Sequence, residues 1–249
     1  MKCHLVSFYL LGLAAAIVVA PIGLSPARAD LHVIESTAPS IKVGSQLADR
    51  DPLVLPAGTQ IRVVLPSGKT QTIRGPFTGA VADLAKGQPR NDGVLVWLKE
   101  FLKTGGATEA TPGATRSIGR EAPRPRIGFS WSAVPVAMDG SVCIEKGARL
   151  QLVRTSSSRA ERAIVMEAAN SERGEAQWEV GSDSAAWPAN LAPRADGAYD
   201  IRVGDRPPRQ IVLRVLATLP ADEDVLTELH RLDCRQQFEA WVREKVAKQ

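Results

Sequence analysis

Two cysteines constrain this chain more than any other residues. Of its three, Cys3 stands at the head of an apolar leader, which leaves Cys143 and Cys234 ninety-one positions apart. Once a leader has carried the chain out of the cytoplasm the pair meets oxidising conditions, where disulfides persist, and an even count of two permits one bridge. Cys234 lies in L-D-C-R-Q-Q-F-E-A-W-V-R-E-K-V, residues 232–246, whose apolar positions recur at helical spacing. Cys143 lies in a short strand-like stretch, 141–145. A bridge between them would fasten a helical tail to the β-rich segment before it. It would close a loop of about 91 residues, worth roughly 4–5 kcal/mol on the chain-entropy account, and leave the first part of the chain free.

The leader occupies residues 1–29. Lys2 and His4 give a short basic start, residues 5–20 are almost unbroken apolar, and Ala27-Arg28-Ala29 is a small-x-small cleavage site before Asp30. The apolar run falls short of the roughly 20 residues of a spanning helix. We expect a signal peptide cleaved after Ala29, export to the periplasm, and a 220-residue mature chain that does not span the membrane. Cleavage also removes Lys2 and Arg28, leaving 29 basic against 27 acidic residues. A net charge of +2 calls for neither nucleic acid nor an anionic membrane as partner.

Two modest domains suit that length. Residues 103–126, K-T-G-G-A-T-E-A-T-P-G-A-T-R-S-I-G-R-E-A-P-R-P-R, hold one large apolar side chain, Ile118, and read as a flexible linker. Arg116, Arg120, Arg124 and Arg126 make its second half basic. Its plain role is a solvated connector, and its sharper one an arm that contacts an anionic partner.

Residues 30–80 read as a small β-module. The clearest signal is I-R-V-V-L-P-S-G-K-T-Q-T-I-R, where Ile61, Val63 and Leu65 alternate, Pro66-Ser67-Gly68 turns the chain, and Thr70, Thr72 and Ile73 return as a second strand. The series V-G-S-Q-L followed by L-P-A-G-T-Q-I-R-V-V-L-P-S-G-K-T-Q-T-I-R-G-P-F resembles the FecR-type periplasmic β-domain over about fifty residues. That resemblance implies a module acting through protein contacts across the envelope, with Ile61, Val63, Thr70, Thr72 and Ile73 as its candidate interaction surface. The cytoplasmic anti-sigma segment and membrane span of that family are not expected from the residues here, which favours the binding role over signal relay. Val94, Trp97, Leu98, Phe101 and Leu102 then mark a helix up to residue 102, expected to cover a face or edge of the module.

After the linker, seven short strands are expected at 127–134, 141–145, 148–155, 162–168, 176–180, 198–203 and 210–217. Their spacing predicts an immunoglobulin- or fibronectin-like sandwich over residues 127–219. W-P-A-N-L-A-P-R-A-D-G-A-Y-D-I-R-V is similar to fibronectin-type modules near their final strands. Trp131, Trp178 and Trp187 are expected as core anchors, with a glycan-stacking platform as the alternative. Residues 220–249 form the helical tail. Val225, Leu229 and Leu232 share one face, and Cys234, Phe238, Trp241 and Val242 share another. That phase change predicts a break near Asp233, with Gln236 as its reciprocal cap. The fold class is thus mainly β with helical additions.

Chemistry is sparse. His32 and His230 fall in different expected domains, and neither has a nucleophile or orienting carboxylate at motif spacing. His230 and Cys234 could share a metal, but two ligands are too few. Asp49 with Asp51, and Asp222 with Asp224, read as turn and cap residues. No phosphate-binding or dinucleotide glycine motif occurs. No cofactor is called for. The expectation is a non-catalytic envelope protein whose partner is another envelope protein, with glycan or cell-wall polymer as the alternative and an unrecognised hydrolase third.

Overall fold

The computed structural model describes residues 30–104 and 127–247. The leader 1–29 and the basic positions Arg116, Arg120, Arg124 and Arg126 lie outside the described residues.

The first module contains β1 (Leu31–Ser36), β2 (Gln46–Leu47), β3 (Pro52–Leu55), β4 (Gln60–Val64), β5 (Thr70–Arg74), β6 (Phe77–Ala80), α1 (Val81–Ala85) and α2 (Asp92–Thr104). Helix α2 runs two residues into the stretch expected as linker, where the Thr104 hydroxyl donates to the Glu100 and Phe101 carbonyls. Strands β2-β1-β4-β5 make one antiparallel sheet, and β3-β6 make another. The β4–β5 hairpin forms as its sequence predicts. Gly68 takes φ +84° and donates to the Leu65 carbonyl, while the Leu65 amide donates to Lys69 O at 2.8 Å.

The remaining elements are β7 (Ala133–Pro135), β8 (Gly140–Glu145), β9 (Gln151–Val153), β10 (Glu161–Glu167), β11 (Arg173–Trp178), β12 (Ser184–Ala186), β13 (Ala198–Val203), β14 (Arg209–Leu216), α3 (Val225–Arg231) and α4 (Arg235–Ala247). A five-stranded sheet, β11-β10-β13-β14-β8, faces a three-stranded one, β12-β9-β7. Both contain a parallel pair, β14 with β8 and β7 with β9. Side chains from both sheets fill one core, including Val165, Trp178, Tyr199 and Leu213. Strand β12 was not anticipated, and only the end of the expected strand 127–134 pairs as β7. The D-G-x-Y piece turns at Asp196, φ +57°, and places the Tyr199 hydroxyl to donate to Ala192 O at 3.1 Å and accept from Arg194 N at 3.0 Å.

A further core joins everything. Ile34 and Val64 of the first module, Leu98 and Phe101 of α2, Cys143 of β8, and Leu229, Phe238 and Trp241 of the tail pack together. The expectation that the tail binds the sandwich and leaves the first module free is therefore corrected. Helix α4 lies between β1 and β8, and α2 packs on α3 and α4 instead of simply covering the first module. The break at Asp233 is present, with φ +58°. The expected cap is not: Gln236 Nε2 reaches Asp139 O, 3.4 Å away. Cys143 and Cys234 form the disulfide, Cα atoms 5.8 Å apart, both fully buried.

Candidate interaction surface

Sheet order places β5 at an edge, so one side of its backbone has no neighbouring strand among the described residues. The phase follows from one bond. Thr70 N–H donates to Glu223 O at 2.8 Å, so it points away from β4. Residues two and four further on point the same way. Thr72 and Arg74, both exposed, therefore direct their peptide groups outward.

The start of the tail closes the upper end of this edge. The Thr70 hydroxyl donates to Asp222 O, Lys69 pairs with Asp224 at 2.9 Å, and Arg62 pairs with Asp222. Asp224 holds the Lys69 ammonium above its ordinary pKa by hydrogen bond and charge. Arg62 also meets Glu35 and donates to the Thr72 hydroxyl at 3.2 Å. Its guanidinium and the Lys245 ammonium lie against the Trp241 ring, 5.9 and 4.8 Å from its centroid. Asp222 to Asp224 form a turn, as expected of Asp222 and Asp224, and Asp224 stands at the N-cap position of α3 without a side-chain cap bond. The same acidic turn is seated on the basic hairpin residues Arg62 and Lys69.

The five residues named as the candidate surface separate here. Ile61, Val63 and Ile73 are buried in the module core, and Thr70 is buried under the tail. Thr72 alone of the five is exposed. The sheet is covered on both faces: Ile61 and Val63 meet one core, while Ile34 and Val64 meet the other. What the hairpin offers is its edge, and that edge is polar.

Other candidates fall into structural roles. Trp178 and Trp187 lie within the sandwich, their indoles donating to Leu152 O and Leu191 O, and half-buried Trp131 stacks edge-on with Phe129 at 4.9 Å. The three cannot form one platform. Cys234 is spent in the disulfide, and His230 packs against Trp97 at 4.7 Å. Among the described residues no three metal-ligating side chains gather. Asp51 accepts from Ala48 N, the turn role expected of it. Among the described residues no helix is long and apolar enough to cross a membrane. Comparison with protein-family models, curated proteins and solved structures returned no match.

Proposed function

We propose that this chain is an exported, non-catalytic binding protein whose first module takes up an extended segment of another envelope protein along the outer side of β5. One observation carries this reading: among the described residues nothing pairs with the outer side of the β5 backbone at Thr72 and Arg74, immediately beyond the point where the chain's own Glu223 carbonyl bonds Thr70. Added strands gain affinity from main-chain hydrogen bonds and specificity from flanking side chains. The FecR-like reading of the hairpin region, with its implication of protein contacts, and the periplasmic location belong to the same proposal.

The test is in-cell photo-crosslinking from position 74, exposed on the same open edge. A protein adduct is expected, and it should be lost in Thr72→Pro. That change removes an outward N–H and spares the hydrogen bonds to β4. Recovery of cell-wall fragments without protein, or a protein adduct unchanged by the proline, would overturn the proposal.

A further inference from the structure

The turn joining β11 to β12 is held with unusual completeness. Arg154 is 4% exposed, and its guanidinium donates to Ser182 O at 2.8 Å and Glu179 O at 3.1 Å while pairing with Glu161 at 3.0 Å. A cation is retained in such a site where its hydrogen bonds are used. Here they hold the two ends of one turn. Ser182 N donates to Glu179 O, Gly181 N donates to Ser157 O, and Arg154 N donates to Asp183 O. What this clamp presents is Val180, 70% exposed at the tip, with the exposed acids Glu179 and Asp183 on either side. A single exposed valine is ordinary. One on a rigid turn between two carboxylates is a preorganised contact that gives up little entropy on docking.

The chain also carries its complement. On the outer face of the five-stranded sheet, half-buried Ile164 and Met166 floor a shallow concavity of about 240 Å³, rimmed by Arg173, Arg202, Asp200 and Pro208. Register sets Arg173 opposite Met166 on one side and Arg202 opposite Ile164 on the other. The two arginines thus stand two strand spacings apart across the sheet and two residues apart along it, about 12 Å in all. Asp200 takes a hydrogen bond from Gln210, whereas neither arginine side chain is paired among the described residues.

We infer that the Glu179–Asp183 turn of one copy docks on this face of a second copy, seating Val180 over Ile164 and Met166 with its carboxylates on Arg173 and Arg202. The two surfaces differ, so the contact is head-to-tail. It is independent of the β5 edge.

Sedimentation equilibrium of the purified protein across a concentration series tests this. Self-association is expected, weakening at least tenfold in Val180→Asp and in the double variant Arg173→Glu/Arg202→Glu. Circular dichroism should match the parent, because all three positions are exposed. The double variant Glu179→Arg/Asp183→Arg should also fail alone, and mixing it with the face variant should restore association, since each then meets an opposite charge. A protein that stays monomeric throughout, association indifferent to these changes, or a mixture that fails to associate would each overturn the inference.

Discussion

The Gln237 side-chain amide takes the place of a missing strand beside Cys143. Its Oε1 accepts from Cys143 N at 2.6 Å and its Nε2 donates to Cys143 O at 2.6 Å, with a second donation to Ser130 O at 2.9 Å. Strand β8 ends the five-stranded sheet, so Cys143 would otherwise bury an unpaired N–H and C=O. Gln237→Leu is expected to cost about 2–4 kcal/mol, because each buried peptide group left unsatisfied costs roughly 1–3. Denaturant unfolding measures it, and Gln237→Glu should not rescue, having no N–H for the two carbonyls.

Replacing both Cys143 and Cys234 by serine should lower stability by about 2–5 kcal/mol. Since the core around the bridge also contains Ile34 and Val64, the loss should reach the first module. Hydrogen exchange on β1 and β4 should speed up along with exchange on β8. Faster exchange confined to the sandwich would contradict a shared core.

His32 supplies a pH dependence. The residue is 4% exposed and its Nε2 has no hydrogen-bond partner among the described residues. Burial lowers its pKa, the Lys99 ammonium lowers it further, and Asp30 opposes both. The folded state therefore binds the proton less readily than the unfolded chain, whose imidazole titrates near its ordinary 6.5. Stability from this group is present above that value and is lost as pH falls through it toward the lower folded pKa. Between about pH 7.5 and 5.5, a window clear of ordinary carboxylates, the parent should lose stability and His32→Leu should lose less.

Gly68→Ala should cost about 1–2 kcal/mol from the positive φ alone. The added methyl would also stand 3.0 Å from Val94 Cβ, so α2 must yield. A Val94→Ala background keeps Cβ but removes the Cγ2 and Cγ1 contacts at 3.0 and 3.1 Å, so the increment should fall part of the way to the backbone cost, and a double-mutant cycle reads the difference.

Local signals in the sequence carried much of this fold. Pro66-Ser67-Gly68 between alternating runs marks the hairpin, and the change of apolar phase around Leu232 and Cys234 marks the helix break. Cys143 and Cys234, the two cysteines beyond the apolar leader, mark their own bridge. What stayed hidden depends on partners distant along the chain. Alternation identifies Ile61, Val63 and Ile73 as one face of a strand pair, yet cannot tell that a second layer, α4 with α2, covers the opposite face at Ile34 and Val64. Gln237 and Arg154 carry no local signature at all. Each is a polar residue among polar neighbours whose meaning comes from peptide groups on other elements, Cys143 and Ser130 for one, Glu179 and Ser182 for the other.

The placement of α4 also sets an order of events at the ribosome. A chain grows from its N-terminus, so β1 and β4 are complete long before Arg235–Ala247 is made. Until those last residues appear, Ile34 and Val64 have no Trp241 to rest on, and Cys143 has no thiol to meet. A nascent chain that stopped short of α4 would carry an uncovered apolar surface between its two halves, so the arrival of Arg235–Ala247 is registered in whether the protein closes.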